Sequence, residues 1–149
     1  ALIAGTAGLV GADEGQRFTF FQEVPEIGFI DNGPAGRSYG DMMSFSAAVR
    51  TDDGLTGTIH GMVFTIEVRG DGPADETRVG QIVFDLGDGD SIVVAGASVY
   101  GADLVEMPAG LPQFRAVIGG TGTYIGARGE VVTIRQEEGT YTHAVTLLP

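Results

Sequence analysis

Glycine spacing constrains the fold of this chain more than any other feature of its sequence. The 25 glycines among 149 residues recur at turn positions, and apolar and β-branched residues fill the intervals without a sustained helical period. We therefore expect a nearly all-β domain with eight strands, near residues 17–24, 41–50, 56–69, 78–86, 91–99, 114–118, 129–136 and 140–148. Eight strands are enough to close a small barrel.

Turn chemistry indicates how these strands pair. Residues 51–54 and 87–90 have the Asp-Gly content of tight hairpins, whose central residues need positive φ. Consecutive strands should therefore be antiparallel. Two longer loops, 25–40 and 101–112, hold four of the six prolines and are expected to lie over the barrel mouths.

The glycine-rich segment 116–131 can be interpreted as a nucleotide loop or as a barrel corner. A dinucleotide fingerprint follows a first strand, opens a helix and belongs to a βαβ unit. Here the glycines lie near the C-terminus, Gly126 and Gly129 would weaken a following helix, and the next residues are strand-like. The barrel corner is favoured.

Three segments in order carry a family resemblance: Gly-Asp-Met-Met-Ser-Phe at 40–45, an apolar strand ending in Gly96, and the corner at 119–129. Together they resemble the barrel shared by plant allene oxide cyclases and dirigent proteins, over roughly residues 17–148. The resemblance implies an all-β, eight-stranded antiparallel up-and-down β-barrel. It also implies a lumen that binds an apolar small molecule, and assembly into trimers.

Composition excludes several kinds of chemistry. Eight basic residues against 20 acidic ones give a net charge of −12, which disfavours nucleic acid and membranes as partners and favours neutral or cationic ligands. All eight basic residues are Arg, so lysine Schiff bases and a P-loop lysine are excluded. The chain has no Cys and two His, so we expect no metal site and no cofactor.

Residues 1–15 are expected to form an apolar N-terminal arm, and residues 16–149 a single barrel domain. The arm is interpreted as the remnant of a signal peptide, as a cloning remnant, or as an ordered segment packed on the barrel. Without cysteines the redox compartment cannot be read, and a cytoplasmic and a secreted location both stay open.

Several predicted strands are apolar on both faces, which indicates a lined lumen inside and covered surface outside. On the third strand His60, Met62, Phe64 and Ile66 share one face, and Val63 and Thr65 are expected to point inward. We therefore expect a homo-oligomer, a trimer or a dimer, and an open, largely apolar cavity with a few polar groups.

Glu23 is the first candidate catalytic residue, because it matches the acidic positions that the resembled families place on their first strand. A carboxyl group in an apolar lumen would have a raised pKa and could act as a general acid or base. Tyr100 is the second catalytic candidate, as a hydrogen-bond donor to a carbonyl or alkoxide. The expected substrate-binding residues are Thr19, Phe21, Val63, Thr65, Ser98 and Arg115.

Other polar residues are given structural interpretations. Asp41 is expected to organise a turn or a strand start rather than to take part in catalysis. His143 is expected to pack on the outer wall, and His60 also points outward by the same register.

The resulting hypothesis is a cofactor-independent cyclase or isomerase of secondary metabolism. It would shape a reactive apolar small molecule, such as an epoxide, a quinone methide or a polyene, inside the lumen. The alternatives are a noncatalytic dirigent-like or lipocalin-like binder, which guides stereoselective coupling or carries a ligand, and a structural domain whose lumen is filled by its own side chains.

Overall fold

The computed structural model describes residues 15–70, 75–101 and 105–149. Its described residues form nine strands and one short 3-10 turn, Gly122–Tyr124. The strands are β1 (Gln16–Gln22), β2 (Glu26–Ile30), β3 (Met42–Arg50), β4 (Thr56–Val68), β5 (Glu76–Gly87), β6 (Asp90–Tyr100), β7 (Gln113–Thr121), β8 (Gly129–Arg135) and β9 (Tyr141–Leu147). Apart from Gly15, the expected N-terminal arm lies outside the described residues. No helix within the described residues has the length and apolar character needed to span a membrane.

The sheet closes on itself through β1 and β3. Each strand from β3 to β9 pairs antiparallel with its neighbour in the chain, β9 pairs with β1, and β1 returns to β3. The closing pairs are Phe21 with Arg50 and Gln22 with Val49. The predicted eight-stranded antiparallel up-and-down barrel is confirmed.

One strand was not predicted. β2 lies within the expected loop 25–40 and pairs with β3 from Glu26 opposite Ser46 to Ile30 opposite Met42. Because β1 and β2 pair with the same edge of β3, they together act as one barrel strand that is interrupted at residues 23–25. Pro25 cannot donate to the ladder, and all five β2 residues are exposed, which is typical of an edge strand.

The predicted hairpins are present at one end of the barrel, which we call the lower end. Gly54 adopts φ 92° in the turn between β3 and β4, and Gly89 adopts φ 84° between β5 and β6. Gly129 starts β8 at φ 156°, where an added Cβ would lie 1.9 Å from the carbonyl oxygen of Thr146. The glycine-rich corner therefore closes the lower end and is distant from the site described below.

The interior has two halves of different chemistry. The apolar half, toward the lower end, is filled by buried side chains, and the rings of Phe20 and Phe84 stack 4.5 Å apart within it. Its buried members are Phe20, Val49, Ile59, Ile82, Phe84, Ile92, Val94, Val117, Val131, Val145 and Leu147. The polar half, toward the upper end, contains the buried residues Gln22, Thr65, Glu76, Arg78, Ser98, Gln113, Arg115, Thr133 and His143.

The outer wall carries exposed apolar side chains. On β4, Met62, Phe64 and Ile66 are 44%, 39% and 50% exposed, and on β7 Phe114 and Ile118 are 60% and 58% exposed. This is the outward-facing apolar surface expected from the sequence. The homo-oligomer inferred from it, a trimer or a dimer, stays a prediction.

Candidate active site in the polar half of the barrel

A small, partly open cavity lies in the polar half of the barrel. Its volume is about 30 Å³, measured as the space open to the centre of a water-sized sphere. Its lining is mostly apolar and consists of Gln22, Pro25, Ile27, Met43, Phe45, Ile82, Tyr100, Glu106, Met107, Arg115, Thr133, Tyr141 and His143. The prediction of an open lumen is wrong, because aromatic and methionine side chains fill most of the interior and leave only a small cavity.

His143 lies at the centre of a buried hydrogen-bonded chain. Its Nε2 is 2.8 Å from Oε1 of Gln22, and its Nδ1 is 2.8 Å from Oγ1 of Thr133. Because an amide oxygen can only accept, Nε2 carries the proton and Nδ1 accepts from the Thr133 hydroxyl. Burial, and then the nearby charge of Arg115, lower the pKa of His143 to about 3. The imidazole is neutral and both of its nitrogens are occupied.

Arg115 presents a buried guanidinium to the cavity. The residue is 6% exposed, and its Nε has no hydrogen-bond partner among the described residues. Burial lowers the pKa of this guanidinium, and the phenol of Tyr100 opposes the shift by charge and hydrogen-bond interactions. Gly96 makes room for the side chain, since a Cβ there would lie 3.3 Å from Cγ of Arg115.

Tyr100 connects Arg115 to a second cluster. The guanidinium carbon of Arg78 lies 4.0 Å from the centroid of the Tyr100 ring, and Nε of Arg78 donates to Glu76 at 2.8 Å. Glu76 also accepts from Thr65 and from Nε of Arg37. Burial alone would raise the pKa of Glu76, but the hydrogen bonds from Arg78 and Thr65 outweigh it and hold that pKa below its usual value.

Segment 105–110 covers the upper end of the cavity. Met107 is buried there, and the carbonyl of Val105 accepts from Arg78 at 2.6 Å. Glu106 accepts from the hydroxyl of Tyr141 at 3.0 Å and from Arg135 at 3.4 Å. Burial and the Glu106 carboxylate raise the pKa of Tyr141, so its phenol stays protonated. Hydrogen bonds therefore hold this segment over the lumen, as expected for the second loop.

The structure corrects the most important candidate of the sequence analysis. Glu23 follows the end of β1, is exposed, and does not line the cavity. Side chains alternate along a strand, and Phe20 and Gln22 are the buried positions of β1. Thr19 and Phe21 therefore lie on the outer face, as Glu23 does. The inward orientation expected for these three residues is wrong, because the inward face of β1 is shifted by one residue from the expected one.

The remaining candidates do point inward. Val63, Thr65, Ser98, Tyr100 and Arg115 are each at most 6% exposed. Of these five, Tyr100 and Arg115 line the cavity. Their functional roles stay predictions.

Two further expectations concern Asp41 and His143. Asp41 accepts from the backbone N–H groups of Asn32 and Ser38, both at 2.9 Å, which agrees with its expected turn role. His143 was expected on the outer wall but is 3% exposed inside the lumen. A signal for this was present in the sequence, because Val145 and Leu147 share its strand face and are apolar.

The cavity carboxylate, Glu106, was also missed by sequence reasoning, because it lies in a loop without periodicity. No group of three or more His, Cys, Asp or Glu side chains that could hold a metal ion occurs among residues 15–70, 75–101 and 105–149.

Comparisons with known proteins place the fold. No protein-family model and no curated protein matches the chain. The structure is similar to a pyocyanin demethylase, with a TM-score of 0.70 and 23% identity over 89% of this chain and 99% of that one. It is also similar to a nonspecific heme-binding cyclase that catalyzes 4 + 2 cycloaddition during neoabyssomicin biosynthesis, with a TM-score of 0.64 and 15% identity over 97% and 69% of the two chains. A third similar structure is the Diels Alderase AbmU from Streptomyces koyangensis, with a TM-score of 0.61 and 14% identity over 95% and 73%.

These similarities define a class of small closed barrels that includes cyclases of natural-product biosynthesis. At these identities they establish the fold alone. The fold implied by the resemblance to allene oxide cyclases and dirigent proteins is confirmed, and membership of those families stays a prediction.

Proposed function

We propose that this protein is a cofactor-independent cyclase of secondary metabolism that folds a reactive, largely apolar molecule inside the barrel. One observation carries the proposal: a buried apolar cavity contains a guanidinium, Arg115, beside the two phenols of Tyr100 and Tyr141. The two cyclases with the same barrel support it by fold analogy. Among the expected substrates, a linear polyene suits this class best.

The cavity would act mainly through shape. A concerted ring closure moves no proton between protein and substrate, so its barrier falls when the reacting ends of the chain are held together. The wall around the cavity is made of aromatic and aliphatic side chains, including Phe45, Ile82 and Met43. Such a wall selects a folded conformer of an unsaturated chain and excludes water.

Hydrogen bonding would supply the second contribution. Tyr100 and Arg115 are donors at one side of the cavity, where they could bind a carbonyl conjugated to the reacting double bond. Donors fixed in a dry site stabilise negative charge as it develops on that oxygen. In this proposal Tyr100 keeps the role of hydrogen-bond donor expected from the sequence, Arg115 shares that role, and the acid–base role expected for Glu23 is dropped.

The substrate must displace side chains to bind. A space of about 30 Å³ for water-sized spheres holds roughly two water molecules. Met107 and Met43 line it, and both have flexible side chains that can be repositioned at small energetic expense. We therefore expect binding to move Met107 together with segment 105–110.

The alternative function is a noncatalytic small-molecule binder, and one observation favours it. Both nitrogens of His143 are hydrogen-bonded, and Glu106 already accepts from Tyr141 and Arg135. These groups are therefore engaged with the protein rather than available as a general base, so a reaction that requires proton abstraction has little support.

An incubation with linear polyenes that carry a conjugated carbonyl tests the proposal. Wild-type protein should accelerate cyclisation and give one stereoisomer, and Tyr100→Phe should reduce the rate by about tenfold to a hundredfold. Tyr124→Phe is the matched control, because Tyr124 packs near the lower end. Rates in all three proteins that equal the rate without protein, or stoichiometric binding without cyclisation, would favour the binder instead. Equal acceleration by all three proteins would remove Tyr100 from the reaction and leave catalysis by shape alone.

A further inference from the structure

Arg115 differs from the other buried or half-buried arginines in its pairing. Arg78 and Arg37 pair with Glu76, and Arg135 pairs with Glu106. Within the part of the chain that the structure describes, no carboxylate oxygen lies within 4.0 Å of the Arg115 guanidinium. Its interactions with the phenols of Tyr100 and Tyr141 oppose the lowering of its pKa by burial.

A shortage of acids does not explain this isolation. The chain has 20 acidic residues against eight arginines. The acid among the described residues of the cavity lining, Glu106, forms its hydrogen bonds with Tyr141 and Arg135. Burying a cation without an anion is strongly unfavourable, and a guanidinium cannot relieve the penalty by losing its proton. Arg115 therefore lowers the free energy of unfolding of the unliganded protein.

The position of Arg115 suggests what offsets this penalty. The residue lines the cavity, and its buried Nε has no partner among the described residues. A planar guanidinium offers two parallel donors that match the two oxygens of a carboxylate or of an ionised 1,3-dicarbonyl group. The surrounding wall is apolar.

We propose that Arg115 binds a delocalised two-oxygen anion, so that the ligand is an apolar chain with an anionic head group. This rests on the proposed function, since it names the substrate class for the same cavity. An anionic ligand differs from the neutral or cationic ligands that the net charge of −12 led us to expect. The surface charges are screened within about 8 Å at physiological salt, whereas the buried cation acts at contact distance.

Paired titrations of an acid and its ester test the proposal. The probes are sorbate, a short dienoate, and methyl sorbate, which has the same chain without the charge. Isothermal titration at pH 7 should show sorbate binding to the wild-type protein at least about tenfold more tightly, as a charge-assisted hydrogen bond predicts. In Arg115→Met the two probes should bind equally.

Arg128→Met is the matched control, because it removes the same charge from an exposed residue at the lower end. It should keep the preference for the acid. Repeating the titrations with Met107→Ala, whose cavity is larger, separates recognition of the head group from the size of the cavity. Thermal melts establish that each variant is folded.

The possible outcomes are distinct. Equal binding of acid and ester to the wild-type protein, or a preference that survives in Arg115→Met, would overturn the anion site and leave the apolar cavity as the proposed binding site. Failure of both probes to bind, with Met107→Ala included, would overturn the anion site and the proposed function together.

Discussion

The neutral, buried state of His143 predicts a pH dependence of stability that can be calculated. The pKa of this imidazole falls from 6.5, its ordinary value, to about 3 in the folded protein. Below pH 6.5 the imidazole of His143 therefore binds a proton in the unfolded chain but not in the folded protein. Stability falls as pH falls through that value. The contribution is fully present above pH 6.5 and decreases by about 1.4 kcal/mol per pH unit until the folded pKa is reached.

Between pH 7 and pH 5 this one residue should remove about 2 kcal/mol from the free energy of unfolding. The pKa of Glu76 is lowered as well, but from an ordinary value of 4.5, so its contribution to stability is lost only as pH falls below that value. The interval from pH 7 to pH 5 therefore lies above the titration of that carboxyl group and isolates the histidine.

Urea unfolding at pH 5, 6 and 7 measures the effect in wild-type protein and in His143→Gln. The variant should be less stable at pH 7, because it disturbs the hydrogen bonds to Gln22 and Thr133, but it should lack the loss of about 2 kcal/mol. His60→Gln, at an exposed position of β4, keeps His143 in place and serves as the control. The same pH dependence in wild type and His143→Gln would refute the assignment of a neutral buried imidazole.

Three other substitutions test the packing around the site. Arg115→Met should raise the free energy of unfolding by about 1–3 kcal/mol, or roughly 3–10 °C in melting temperature, because it removes a buried charge that has no carboxylate partner among the described residues. A lower melting temperature would indicate a structural role instead. Gly96→Ala should lower stability by about 1–3 kcal/mol and weaken sorbate binding, since φ is 151° there and the added Cβ meets Arg115; unaltered melting and binding would contradict this. Asp41→Ala should lower stability by about 1–3 kcal/mol in urea unfolding, because it removes the acceptor for two backbone N–H groups in the loop before β3. It should leave sorbate affinity unaltered, and a change in affinity would place that loop in the site.

The sequence predicted the barrel because turn chemistry and strand composition point to the same architecture. Eight strands were placed within a few residues of their positions, and the hairpins at Gly54 and Gly89 were recognised from their Asp-Gly content. β2 was missed because it is short, exposed and follows Pro25, so neither alternation nor burial marks it.

The candidate site was predicted less well, for a physical reason. Assigning a residue to the lumen requires knowing which strand face points inward, and a shift of one residue inverts every assignment. On β1 the adjacent Phe20 and Phe21 make both faces apolar, so Glu23 was placed on the wrong side. On β9 the apolar alternation was clear, and Val145 and Leu147 could have placed His143 inside.

The isolation of Arg115 was beyond sequence reasoning altogether. Its inward position was expected, but its pairing depends on which carboxylates approach it in three dimensions. Glu106 enters the cavity from a loop and is bound there by Tyr141 and Arg135. Only the assembled barrel shows that no carboxylate of the described residues forms an ion pair with this cation.

A crystal structure of the protein grown with sorbate tests the central claim most directly. We expect the carboxylate of the probe to lie against the guanidinium of Arg115, the diene to lie inside the cavity, and Met107 to be displaced from its buried position. Sorbate bound on the outer wall at β4, or a lumen that keeps Met107 in place and admits no ligand, would contradict the account.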